Sequence, residues 1–82
     1  MERYARMYPC CESCASNRQI DVHHVRSRMA LGKAGDVPEN FLSLCRGCHQ
    51  RIHQVGPRLF GAENGWLMEK IQGADKLRPV LG

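Results

Sequence analysis

Apolar positions in this chain fall into short runs, and each run carries its own period. In Arg18–Val25 (RQIDVHHV) the β-branched residues Ile20, Val22 and Val25 alternate with polar ones, a period near two that predicts a half-buried strand ending at the histidines. Phe41–Leu44 is a short apolar run suited to a second strand. Between them, Arg26–Glu39 holds Gly32, Gly35 and Pro38 among several charges and few apolar side chains, which predicts a long loop with one helical turn near Ser27–Leu31. His49–Val55 has no breaker before Gly56 and Pro57 and predicts a helix on which His49 and His53, one turn apart, share a face. A further helix is predicted over Ala62–Gln72, with Trp66, Leu67 and Ile71 on its apolar side and Gly73 at its end. Trp66 is expected to plug the core rather than to offer a stacking platform for bases. Met1–Pro9 reads as a short helical or irregular arm carrying Tyr4, Met7 and Tyr8, and Asp75–Gly82 as a frayed tail.

The order of these elements describes one small α+β domain over residues 1–82, with a motif core at about 11–56 and a C-terminal helix at about 62–72. A hydrophobic core alone gives marginal stability at 82 residues, so a staple is expected. Met1–Pro9 contains Glu2, Arg3 and Arg6 and no apolar run long enough for a signal or membrane segment, so the expected setting is cytoplasmic and reducing, with no membrane partner. In that setting thiolates bind zinc rather than pair as disulfides.

Cysteine spacing supplies the staple. Cys11/Cys14 and Cys45/Cys48 form two Cys-x2-Cys pairs, and each short loop lets two sulfurs reach one ion at about 2.3 Å, so two loops close a tetrahedral structural Zn²⁺ site. Cys10 could replace Cys11 in a Cys-x3-Cys arrangement, with Cys11 the preferred ligand. Gly47 is suited to a left-handed backbone inside the second knuckle. A two-cysteine, two-histidine finger is a poor fit, because His23 follows Cys14 too closely and the histidines are adjacent.

Four histidines add a second chemistry. His49 and His53 can grip one ion from a helix face, and His23 can add a nitrogen from the strand. An ion held by two or three protein nitrogens keeps positions open for water and a phosphate oxygen, as hydrolytic metal chemistry requires. His24, its side chain on the opposite strand face, is left free to act as a base near neutral pH. Asn40, just before the second strand, could tie the long loop to the backbone and so orient His24.

These segments, CESC, DVHHV, ENFLSLCRGCH and RIH, cover Cys11 to His53, and with them the chain resembles the HNH nucleases. That ββα-metal group includes colicin DNases, homing endonucleases and many phage and restriction nucleases. The resemblance implies a two-stranded antiparallel hairpin plus helix, with a structural zinc on the four cysteines and a separate catalytic cation. It implies His24 as general base, Asn40 as orienting amide, and His23 and His49 as ligands of the catalytic metal. His53 corresponds to a further helix histidine in the colicin-like members and is expected to join the ligand set.

Twelve Lys/Arg against eight Asp/Glu leave a net charge of +4, which suits a polyanionic partner. Arg26, Arg28, Arg46 and Arg51 are candidate DNA phosphate clamps. The sequence therefore reads as a metal-dependent DNA endonuclease that hydrolyses phosphodiesters, nicking with low specificity because no recognition helix is visible. The catalytic cation could be Mg²⁺, Mn²⁺, Ni²⁺ or Zn²⁺. Action as a monomer or dimer fits, as does a place among the proteins of a phage, restriction or recombination system. The alternative is a non-catalytic, zinc-stabilised nucleic-acid-binding module.

Overall fold

The computed structural model of the chain describes residues 2–79; Met1 and residues 80–82, the end of the expected tail, lie outside the described residues. In chain order the elements are α1 (Glu2–Met7), β1 (Ile20–His24), α2 (Arg28–Leu31), β2 (Phe41–Cys45), α3 (Arg46–Val55), α4 (Pro57–Glu63) and α5 (Met68–Asp75). Single 3-10 turns at Gly32–Gly35, Pro38–Asn40 and Gly65–Leu67 link them. No helix among the described residues is long and apolar enough to cross a membrane.

β1 and β2 form an antiparallel pair in which Ile20 faces Cys45 and His24 faces Phe41. α3 follows β2 without a loop, so the core is the β-β-α unit that the hydrophobic pattern and the cysteine spacing imply, with helices flanking it on the C-terminal side. The pleat divides the hairpin: Asp21 and His23 project with Leu42 and Leu44 to one side, Val22 and His24 with Phe41 and Ser43 to the other. On the first side Leu42 and Leu44 pack with Val25, Ile52, Phe60, Leu67, Ile71 and Ala74 in the main core. Burying each large apolar side chain there contributes about 1.5–3 kcal/mol. On the second side Phe41 meets the ring of Tyr4 edge-on at 5.5 Å.

Glu12 ties the first knuckle to the sheet. Its backbone N–H donates to the Ser43 carbonyl at 2.8 Å, and its Oε2 accepts from the Ser43 N–H at 2.8 Å and from the Tyr4 hydroxyl at 2.6 Å. Burial and the adjacent Glu12 carboxylate push the Tyr4 hydroxyl well above its ordinary pKa, so it remains a donor. Through these bonds the knuckle lies against β2 like a rudimentary third strand.

Four local expectations are revised. Gly47 is not left-handed: the second knuckle is the first turn of α3, and the positive-φ residue beside a knuckle is Ala15, at φ 66° after Cys14. The helix expected over 62–72 is two helices, α4 beginning at Pro57 and α5 ending at Asp75, so Gly73 lies inside a helix rather than past one. The break occurs at Asn64, whose Nδ2 donates to the Phe60 carbonyl at 2.9 Å while its Oδ1 accepts from Ser13 of the first knuckle. That tertiary anchor turns the chain, so Leu67 enters the core and Trp66 is left 67 % exposed. Trp66 is therefore not a core plug; its indole N–H donates to the Glu12 carbonyl at 2.9 Å and braces the knuckle from outside.

Candidate metal centres and catalytic site

Cys11 and Cys14 come from the turn before β1, and Cys45 and Cys48 from the junction of β2 with α3. The four sulfurs lie within 4.8 Å of one another, and Cys14 Sγ is 3.6 Å from Cys45 Sγ. Four sulfurs at about 2.3 Å from one tetrahedral zinc would sit roughly 3.8 Å apart, so the set is close enough to hold that ion. Cys11 is buried within the cluster whereas Cys10 is exposed outside it, which settles their contact with the group in favour of Cys11.

The electrostatics favour a cation. Burial pushes the Cys48 thiol up to about 12; a hydrogen bond with Ser13 opposes the rise, and Cys45, Cys11 and Cys14 add to it. At Cys11 burial also raises the thiol, but backbone N–H groups of Cys14, Cys45 and Ser13 outweigh it and bring it to about 7. One thiolate forms readily in such a cluster, and further thiolates require a positive ion among them.

On the α3 side of the hairpin, His23 Nδ1 lies 3.1 Å from His49 Nε2, which lies 3.2 Å from His53 Nε2. Nitrogens bound to one ion at about 2.05 Å, subtending 90–109°, are about 2.9–3.3 Å apart, so the His23–His49 and His49–His53 pairs have the separations of a shared ligand set, and all three nitrogens lie within 4.8 Å of one another. The backbone explains the convergence: His23 projects from β1 toward α3, and His49 and His53 occupy one face of α3 a turn apart. His23 and His49 are half-buried and His53 is exposed, so the cluster opens to solvent on its His53 side. Burial, then the neighbouring His49, His53 and His24, lower the His23 pKa to about 4, which leaves a neutral lone pair at physiological pH. Asp21, two residues before His23, places Oδ2 at 3.7 Å from His49 Nδ1, on the edge of the ring away from the cluster. At that distance the carboxylate is not hydrogen-bonded to the ring, but its charge lies on the side of His49 away from the cluster.

His24 lies on the other side of the strand, outside the cluster. Its ring meets Phe41 edge-on at 5.0 Å, and its Nε2 is 3.1 Å from Asp36 Oδ1. Arg28 Nη2 donates to the second Asp36 oxygen at 3.1 Å, and the hydrogen bond from His24 followed by the charge of Arg28 holds the Asp36 carboxyl below its usual range. His24, Asp36, Arg28, Phe41 and Glu2 line one cleft.

Asn40 is fully buried beneath that cleft. Its Oδ1 accepts from the Arg26 N–H at 2.8 Å, and its Nδ2 donates to the Arg26 carbonyl at 2.9 Å and the Gly35 carbonyl at 3.0 Å. The amide thus ties the strand end two residues past His24 to the far arm of the loop, as its position in the sequence suggests. Gly35 suits this closeness, because a Cβ would lie a tight 3.2 Å from Leu31 Cβ and 3.3 Å from Asn40 Nδ2.

Of the four arginines, three are engaged within the protein. Arg26 Nη1 donates to the Leu77 carbonyl at 2.8 Å, Arg28 binds Asp36, and Arg51 pairs with Glu63 through Nε and Nη2. Arg46 is exposed at the start of α3 and has no side-chain hydrogen bond or ion pair among the described residues. Sequence reasoning missed Glu12, Asp21 and Asp36. The spacing of Asp21 from His23, which puts both on one strand face, was a usable signal; nothing in the loop pattern marked Asp36.

No curated protein and no solved structure matches the chain. The model of the HNH endonuclease domain, however, matches residues 11–54, a stretch that runs from the first cysteine of the sulfur cluster to just past the last histidine of the nitrogen cluster. With more than half its length inside that match and its two clusters at the ends and centre of a β-β-α unit, the chain belongs to the HNH endonuclease family.

Proposed function

We propose that the chain is a metal-dependent DNA endonuclease that hydrolyses phosphodiesters as a single zinc-stapled domain, nicking with low sequence specificity. The observation that carries this reading is the convergence of His23, His49 and His53 at 3.1–3.2 Å beside a fourth histidine outside the set. His23, His49 and His53 would hold a divalent cation, which when bound would supply Lewis-acid charge to the phosphate, and three imidazoles would bind Ni²⁺ and Zn²⁺ more tightly than Mn²⁺ and Mg²⁺. His24 acts as general base and takes the proton of the attacking water. Asn40 positions it by fixing the Arg26 peptide, two residues further along the chain. Cys11, Cys14, Cys45 and Cys48 hold a structural Zn²⁺ whose role is to fix α3 against β1.

Arg46, exposed at the N-terminal end of α3 where backbone N–H groups also favour anions, is the strongest of the four arginines as a DNA phosphate contact. Arg26, Arg28 and Arg51 can contribute once phosphate competes with their present partners. One site per chain accounts for cutting one strand at a time.

The deciding experiment is incubation of supercoiled plasmid with zinc-loaded protein and Mg²⁺, Mn²⁺, Ni²⁺, Zn²⁺ or EDTA, beside His24→Ala. Cation-dependent nicking is expected, falling by about 10²–10⁴-fold in His24→Ala while fold and zinc content stay unchanged. Plasmid that is bound but uncut with every cation would overturn the catalytic reading in favour of a binding module, and undiminished nicking by His24→Ala would remove the base assignment.

A further inference from the structure

On the reading that His24 is the base, we infer that Asp36 is its positioning residue, fixing hydrogen on Nε2 and leaving Nδ1 as the nitrogen that accepts the proton. A carboxylate only accepts, so the 3.1 Å contact between His24 Nε2 and Asp36 Oδ1 places hydrogen on Nε2. In a neutral imidazole the other nitrogen then holds the lone pair. Phe41, edge-on to the ring at 5.0 Å and 83°, packs against the ring and opposes the flip that would put Cε1 in place of Nε2 against Asp36.

The arrangement is held from both sides. Asp36 follows Gly35, whose carbonyl is bound by the same buried Asn40 amide that binds Arg26 beyond His24. One side chain therefore sets the separation between the strand that bears the base and the loop that bears the carboxylate. On the other flank, Ser27 caps α2 by accepting from the Ala30 N–H at 3.2 Å, and Arg28 in the first turn of that helix reaches Asp36 Oδ2. Arg28 thereby occupies the second carboxylate oxygen and leaves the first for His24. As a structural device this would add little, because an exposed Arg–Asp pair is screened by water. The cleft of about 390 Å³ around these groups is where a DNA strand can approach His24.

The test compares wild type, Asp36→Ala, Asp36→Asn, His24→Ala and the Asp36→Ala/His24→Ala double variant, each zinc-loaded. Steady-state nicking is measured in saturating catalytic cation, and the His24 imidazole is read by ¹⁵N NMR with Mg²⁺. Asp36→Ala is expected to lower kcat by about 10–100-fold with KM within twofold, a share of what a general base contributes. It should add nothing in the His24→Ala background and should convert His24 from the Nε2–H tautomer to a mixture. Asp36→Asn, whose amide oxygen can still accept from Nε2, should recover the tautomer and part of the rate. A wild-type or raised kcat in Asp36→Ala overturns the inference, a raised rate marking Asp36 as a lock rather than a support. A loss confined to KM overturns it as well, since Asp36 would then act on DNA binding. If His24→Ala itself nicks at full rate, the base assignment has failed, whereas the tautomer readout reports on Asp36 without reference to activity.

Discussion

Asn40 shows how much one buried side chain can carry. Its amide has no exposed surface and satisfies three backbone groups, the Arg26 N–H, the Arg26 carbonyl and the Gly35 carbonyl. An alanine leaves all three unpaired in a closed space; each orphaned group costs about 1–3 kcal/mol less whatever water recovers, so a loss of about 2–4 kcal/mol is expected in denaturant unfolding. Aspartate is the sharper variant. It keeps an acceptor for the Arg26 N–H but turns a carboxylate oxygen toward two carbonyl oxygens, so Asn40→Asp should be as damaging as Asn40→Ala despite its matching shape. Both should lower nicking by more than they lower zinc content, because the sulfur cluster does not depend on this amide. A variant that melts like wild type would show that the amide is not what holds the loop.

At the scale of elements, the junction between α3 and α4 rests on Gly56. Gly56 closes α3 through its N–H to the Ile52 carbonyl at 2.9 Å and opens α4 through its carbonyl to the Phe60 N–H at 3.0 Å. It does so at φ 87° and ψ 159°, a region that side chains with a Cβ essentially do not occupy, although nothing lies within 4 Å of where that Cβ would be. Gly56→Ala is therefore expected to cost about 1–3 kcal/mol from the backbone alone, visible as a lower Tm, and an unchanged Tm would argue against this junction. The same scale shows what the sequence made legible. β1 followed from a period of two, β2 from a short apolar run, α3 from a stretch without breakers, and the cysteine and histidine groupings from spacing, because those signals arise within a few neighbouring residues. The break between α4 and α5 did not, since it depends on Asn64 and Trp66 reaching Ser13 and Glu12, more than fifty positions back in the chain. Asp36 escaped for a similar reason: its significance comes from a contact with His24 across a loop that has no periodic pattern of its own.

Across the whole molecule the two clusters do different work, and removing them should separate that work. The sulfur cluster joins the turn before β1 to the first turn of α3, the helix that carries His49 and His53, so it sets the relation between the two elements that form the nitrogen cluster. A structural zinc in small domains contributes about 10–16 kcal/mol of apparent binding energy, comparable to or larger than the roughly 5–15 kcal/mol of net stability of a whole domain. Losing it is expected to unfold this chain, and Cys45→Ser or Cys48→Ser should do so without any chelator. The three imidazoles join the same two elements but lie nearer the surface, with His53 exposed, so an ion held there would be the more accessible to a chelator. Rising chelator should therefore act in two stages, abolishing nicking first while far-UV circular dichroism and the melt stay native, then collapsing the helical signal as zinc leaves. Simultaneous loss of activity and structure at a single chelator concentration would mean that the histidine ion is itself part of the scaffold. A cooperative native-like melt after the sulfurs have been stripped would mean that the hydrophobic core around Leu42, Leu44, Ile52 and Phe60 is sufficient alone. The chain's size makes the staged outcome the expected one, because so small a core leaves little stability once its staple is gone.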